Sequence, residues 1–235
     1  LKLKKASKNY LEKSKVFNLA NMTPNGKLMP KKELEKEYNK VVEKFRDIII
    51  SLNIEKKIRK WSLPAIRYKE GKINKKKKLR NTRSELPHSD SWAGWDENSI
   101  LVQIPLLGDT KKNKVQYYKM PHNLDKPWLG KKKFNKSNYF VSKCKRMNND
   151  YKLGYIYISD ISVVHRTYRN KYSKSRTSID IPLIIKSEKP INKNFSSEIF
   201  TKNKFNYLGK KYSINCPVKM NYIETTPIKF KLKNS

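Results

Sequence analysis

Two cysteines and three histidines in 235 residues leave little material for disulfide or soft-metal chemistry. Cys144 and Cys216 have no secretory context, so two free thiols are expected in place of a disulfide. Only His122 lies outside the pattern described below, which leaves no Cys/His set for a zinc site. No apolar run reaches the roughly 20 residues that a membrane span needs. The start, LKLKKASKNY, lacks a hydrophobic signal-peptide core, so export is not indicated and a cytoplasmic location is expected. Acidic residues are scarce as well: 20 Asp and Glu stand against 55 Lys and Arg, a net charge of +35. Such an imbalance ordinarily points to nucleic acid, an anionic membrane surface or a ribosome. Here the charge runs along the whole chain, amid abundant Lys, Asn, Ile and Tyr, as in proteins from AT-rich genomes. Only INKKKKLR (residues 73–80) is a dense block, read either as a solvated loop or as an arm that attracts an anionic substrate. Nor is there an internal repeat. What is present, 37% hydrophobic and 11% aromatic residues, suffices for one domain with a good-sized core.

Against that background, His88-Ser89-Asp90, followed by His165 and then Arg176-Thr177-Ser178, is the informative feature. Two neutral imidazoles and one carboxylate on one face of an iron(II) ion leave the other face open, the arrangement of the non-haem iron oxygenases. In an extended strand, residues i and i+2 point to the same side, so His88 and Asp90 can reach one metal. The third ligand then has to come from a distant strand, and His165 is available. Arg176 and Ser178 share a strand face by the same period, and a guanidinium beside a hydroxyl suits a carboxylate.

The stretches LPHSDSWAGWDENSILVQIPLLGDT and ISDISVVHRTYRNKYSKSRTSIDIPL resemble the Fe(II)/2-oxoglutarate-dependent oxygenases. Within them they look closest to the phytanoyl-CoA dioxygenase-like branch, and similar to small bacterial members encoded with sugar or surface-polysaccharide biosynthesis genes. The resemblance covers roughly residues 61–186, about half the chain. It rests on the His-x-Asp pair, a strand through Ile104-Pro105-Leu106, the distal His165, and the Arg-x-Ser beyond it. It implies a double-stranded β-helix, or jelly-roll, core with flanking helices. It also implies iron(II) held by His88, Asp90 and His165, and 2-oxoglutarate chelating that iron while its 5-carboxylate pairs with Arg176 and Ser178. The implied reaction couples oxidative decarboxylation of 2-oxoglutarate by O2 to hydroxylation of a small or carrier-bound metabolite, anionic ones included. Since Asp90 supplies a carboxylate, hydroxylation is expected over halogenation.

Periodicity sketches the rest. Leu34, Tyr38, Val41, Phe45, Ile48 and Leu52 predict an amphipathic helix over 31–52, with Pro30 near its first turn, packing on the outer face of a sheet. Residues 1–60 are expected to form a helical segment packing on a core at 61–235, the whole being one domain. Strands are predicted over 62–68, 99–107, 114–119, 155–159 and 177–185, with a turn at Gly108-Asp109 and residues 161–165 leading to the distal histidine. Short strands separated by turns suggest a double-sheet jelly roll. Residues 121–150 read as a long loop or lid.

Individual side chains carry two readings each. Gln103 stands in an apolar run and either hydrogen-bonds the cofactor or substrate or faces solvent. Arg67 either meets a substrate anion or is a surface cation. Trp92 and Trp95 either wall the iron pocket or fill the core. Tyr117 and Tyr118 point to opposite faces, so at most one faces a cavity, and Tyr118 is taken as a substrate contact. His122 is a loop residue or a substrate contact. Arg166 and Arg169, on an expected turn, bind an anion or add to the background charge. The competing function is a basic nucleic-acid- or ribosome-associated binding protein with an inactive jelly roll. An oxygenase of nucleic acid is disfavoured, because the chain lacks the second arginine beyond Arg176 that the nucleic-acid demethylase branch shows. The sequence carries no sign of oligomeric state.

Overall fold

A computed structural model describes residues 2–16, 21–22, 25–29, 34–62, 64–71, 83–95, 98–121, 128, 132–185 and 222–223. In chain order the elements are α1 (Lys2–Val16), β1 (Asn21–Met22), β2 (Leu28–Met29), α2 (Glu35–Ser51), β3 (Ile58–Ser62), β4 (Ala65–Lys69), β5 (Ser99–Gly108), β6 (Asn113–Lys119), α3 (Asn138–Ser142), β7 (Lys145–Arg146), β8 (Tyr157–Asp160), β9 (His165–Arg169), β10 (Arg176–Ile185) and β11 (Tyr222–Ile223). The protein is mainly antiparallel β-sheet with a few helices, as expected. None of the described helices is long and apolar enough to cross a membrane. The chain divides into two compact units, 1–67 with 179–235, and 68–178. The division passes within β4 and within β10.

In the first unit, α1 and α2 pack together, with Tyr10 meeting Tyr38 edge-on at 5.7 Å between ring centroids. Tyr38 also donates its hydroxyl to the Pro64 carbonyl at 2.7 Å. The buried stripe of α2 is Tyr38, Val41, Val42, Phe45 and Ile49, preceded by Leu34. Beyond Phe45 it departs from the expected stripe. Ile49 turns inward and Ile48 is only half-buried, because at about 100° per residue a step of four from Phe45 falls nearer its face than a step of three, and Leu52 is exposed as the C-cap residue at the helix end. The helix begins at Glu35, later than expected, and its main partner is another helix. The single strand expected over 62–68 is two. β3 ends at Ser62 and β4 starts at Ala65, since Pro64 has no N–H to give a ladder. β3 pairs antiparallel with β10 (Leu183 opposite Trp61) and parallel with β11.

The second unit contains two antiparallel groups. β5 pairs with β8, Gln103 opposite Tyr157, and its burial is almost continuous from Leu101 to Leu106. β6 lies between β7 and β9, with Tyr118 opposite Arg146 and Tyr117 opposite His165. At the turn from β5 to β6, Gly108 has φ +88, a conformation costly for any side chain, and an added Cβ would also lie 2.2 Å from the Ser175 carbonyl oxygen. Asp109 follows and accepts the backbone N–H groups of Lys111, Lys112 and Lys174. Arg166 and Arg169 lie in β9 and not on a turn. The stretch 121–150 is not one long loop. Its described part carries a 3-10 turn (Phe134–Lys136), α3 and β7. Aromatic side chains explain this order: Trp128, Phe134 and Phe140 pack around Trp92. His122, Cys216 and the basic block at 73–80 lie outside the described residues.

Candidate metal centre

His88 and His165 lie directly opposite one another in an antiparallel bridge. The His88 N–H donates to the His165 carbonyl at 2.9 Å, and the His165 N–H to the His88 carbonyl at 2.8 Å. Side chains of such a pair emerge on one face, and the two rings stand 4.6 Å apart. Each ring is oriented by the carbonyl two residues earlier. His88 Nδ1 is 2.7 Å from the Leu86 oxygen and His165 Nδ1 is 3.1 Å from the Val163 oxygen. A carbonyl can only accept, so both Nδ1 atoms carry the proton, which makes Nε2 the lone-pair nitrogen of each ring. Those Nε2 atoms lie 3.8 and 3.9 Å from the two carboxylate oxygens of Asp90, too far to hydrogen-bond with them. The potential ligand atoms of the three residues all lie within 4.8 Å of one another. Among the described residues this is the only such cluster of three.

Asp90 reaches the cluster by a route that strand geometry does not describe. Ser89 is extended, but Asp90 opens a 3-10 turn that runs to Ala93 and ends at Gly94 in the left-handed region. The buried Ser89 hydroxyl holds this corner. It donates to the Ile161 carbonyl at 2.9 Å and accepts the Ser91 N–H at 3.2 Å. The Ser91 N–H also points to the Ile161 carbonyl, at 3.3 Å. Phe134 stacks on the His88 ring at 4.3 Å and covers it with an apolar face.

From His165 a line of side chains leads to Arg176. The Tyr117 ring is 6.2 Å from His165, and its hydroxyl bonds the Oε1 of buried Gln103. Tyr117 stacks toward Tyr157 at 6.4 Å, and Tyr157 contacts Tyr151 at 4.8 Å. Tyr151 lies against the guanidinium of Arg176, at 4.9 Å. Arg176 is 2% exposed, yet its Nε and Nη1 meet no acceptor among the described residues. Ser178, 1% exposed, shares its strand face by the period of two. A buried cationic donor left unmade costs about 1–3 kcal/mol or more, so the arrangement is costly unless something binds there.

Other expected contacts lie elsewhere. Tyr118 points away from Tyr117 and is buried among Trp92, Trp128, Phe134 and Val164. Strand alternation therefore makes Tyr117 the residue beside His165, and Tyr118 a core residue. Trp92 is fully buried and donates its indole N–H to the Trp128 carbonyl at 2.7 Å, which makes it core as well. Arg67 belongs to the first unit, where it pairs with Asp180 and donates to the Asn25 carbonyl at 3.0 Å. Arg166 donates to Gln116 and Arg169 pairs with Glu85, so both are engaged within their own unit. Tyr151, Tyr157 and Phe134 were not foreseen. Only pairing across strands and the return of 132–157 bring them to the site, and neither has a local signature.

No protein-family model matches the sequence, and no curated protein matches it. Solved structures with similarity to the chain include the following three. One is the non-heme alpha ketoglutarate dependent epimerase SnoN from nogalamycin biosynthesis, at 12% identity and TM-score 0.37 over 65% of this chain and 52% of that one. A second is AviO1 from Streptomyces viridochromogenes Tue57, at 13% identity and TM-score 0.36 over 56% and 53%. The third is ThoJ, a non-heme monooxygenase, at 12% identity and TM-score 0.43 over 78% and 69%. The chain spans about half the length of the first two.

Proposed function

We propose that this chain is a non-haem iron(II), 2-oxoglutarate-dependent oxygenase, of the jelly-roll and phytanoyl-CoA dioxygenase-like kind, that hydroxylates a small or carrier-bound metabolite. One observation carries the reading. A cluster of two imidazoles and one carboxylate shares a unit with a buried guanidinium that has donors to spare. The donor set suits iron(II): two neutral nitrogens and one anionic oxygen, with both tautomers set by backbone carbonyls. The unmet N–H groups of Arg176 suit a carboxylate, to which a guanidinium donates charge-assisted hydrogen bonds.

In this reading His88 Nε2, His165 Nε2 and one Asp90 oxygen hold the metal. Asp90 also supplies the negative charge that partly balances it. Bound iron(II) and 2-oxoglutarate supply oxidising power from O2, with succinate and carbon dioxide as co-products. The chain's own residues orient and shield. Arg176 and Ser178 receive the 5-carboxylate. Gln103, its oxygen engaged by the Tyr117 hydroxyl, turns its amide N–H groups to the cofactor or substrate. Phe134 and the tyrosine line keep bulk water from the rings they cover.

The test requires no knowledge of the substrate. Iron(II) and then 2-oxoglutarate are added to the protein without oxygen, and the visible charge-transfer band of the chelate is sought. The expected outcome is a band in the native protein that is lost in His165→Ala. A folded native protein that takes up iron but shows no band would overturn the reading and favour a binding role for the basic chain.

A further inference from the structure

We propose that Tyr151 is a positioning residue that aims the Arg176 guanidinium at its carboxylate ligand, an inference that rests on the oxygenase reading above. A guanidinium offers two kinds of contact. Its edge donates N–H groups, and its face meets aromatic rings. The Tyr151 ring lies 4.9 Å from the Arg176 Cζ, a contact that consumes no hydrogen-bond donor. Nε and Nη1 are left buried and without an acceptor among the described residues. A carboxylate or amide partner in place of Tyr151 would take up those donors. An aromatic ring stabilises the cation and leaves them for a ligand.

The ring is held firmly. Tyr151 is 3% exposed and packs on Tyr157 at 4.8 Å. The Tyr157 hydroxyl accepts the Lys152 N–H at 2.7 Å, so the segment between the two tyrosines closes on itself. Two residues before Tyr151, Asn149 replaces a strand partner for β6. Its Oδ1 accepts the Tyr117 N–H at 3.0 Å, and its Nδ2 donates to the Val115 carbonyl at 3.0 Å. Lys114 adds a bond to the Asn149 carbonyl at 2.7 Å. Tyr151 is therefore tied to the strand whose Tyr117 stands beside His165. One frame sets both the ring beside the metal cluster and the ring beside the guanidinium.

The experiment measures anaerobic binding of 2-oxoglutarate to the iron-loaded protein, by calorimetry and by the visible band, and iron affinity separately. Tyr151→Leu should weaken 2-oxoglutarate binding about tenfold to thirtyfold, the worth of a desolvated cation–π contact. Tyr151→Met, a second apolar replacement, should do the same. Tyr151→Phe keeps the ring and should stay within about twofold of the native protein. Iron affinity should be unchanged in all three. Native-like binding in the Leu and Met variants, with binding lost in Arg176→Ala, overturns this proposal and leaves the oxygenase reading standing. Equal weakening by Phe and Leu overturns it too, since the hydroxyl would then matter and not the ring. So does a fall in iron affinity alongside. If the native protein binds iron but no 2-oxoglutarate, the proposal and the oxygenase reading fall together.

Discussion

The two units treat their partly and fully buried arginines differently. In the first, Arg67 has Asp180 beside it and the Asn25 carbonyl on its other side. In the second, Arg176 is more deeply buried, yet it has an aromatic ring where Arg67 has a carboxylate. Residue type and strand periodicity do not separate the two positions. Their partners do. An internally neutralised arginine has no reason to bind an anion, whereas a buried one with unmet donors lowers its free energy when an anion arrives. Arg67 thus reads as satisfied within its own unit, and Arg176 as a group that an anion would complete.

The comparison can be broken most sharply at the cluster itself. Asp90→Ala or His165→Ala should abolish iron-dependent succinate formation while circular dichroism stays native. Turnover at the native rate in either would remove the metal assignment. Next, Arg176→Met should raise the 2-oxoglutarate requirement about tenfold to a hundredfold, the worth of the charge-assisted bonds lost. Its stability to denaturant should hold or rise, because no carboxylate among the described residues pairs with the guanidinium. Arg67→Met should show the reverse. It removes the Arg67 guanidinium from Asp180 and from the Asn25 carbonyl, so stability should fall by roughly 1–3 kcal/mol while 2-oxoglutarate affinity stays native. Equal loss of stability in both variants would erase the distinction between the units.

The smallest effect concerns an anion of the second unit that is satisfied internally. Burial pushes the Asp109 carboxyl up, but the N–H groups of Lys112, Lys174 and Lys111, helped by the Lys112 charge, hold it below its usual range. A folded-state pKa below the unfolded one means that the unfolded chain takes up protons first as pH falls. The stabilisation is complete above the unfolded value of about 4 and is lost as pH falls through the folded value. Asp109→Asn should therefore be less stable near neutral pH and should lose less stability on acidification, as denaturation at the two pH values would show. Parallel pH profiles would contradict it.

Much of the site's chemistry was legible in the chain. The order His88, Asp90, His165, Arg176, Ser178 names the donor types, and the apolar stretches over 99–107 and 177–185 mark two of the strands that matter, β5 and β10. The helix over α2 was legible as well, though its stripe slipped after Phe45. Legibility failed where the outcome depended on a remote partner. Of the tyrosines at 117 and 118, alternation says that they part, but only pairing with β9 says which one meets His165. Trp92 sits close to the ligands in sequence and is nonetheless core, because Trp128 and Phe134 return to cover it. The 121–150 stretch looked structureless for the same reason: its order is held by aromatic contacts to residues far away in the chain.

By itself, then, the sequence determined which groups could ligate, which could donate, and which neighbours in a strand must part to opposite faces, because these follow from residue chemistry and a two-residue repeat. The tertiary structure alone decided which groups meet. It set His88 opposite His165, turned both rings by backbone carbonyls, brought Asp90 in through a 3-10 corner, and gave Arg67 a carboxylate but Arg176 a tyrosine ring. The physical reason is that hydrogen-bond register and side-chain burial are set by contacts between distant segments, and no local pattern encodes the partner.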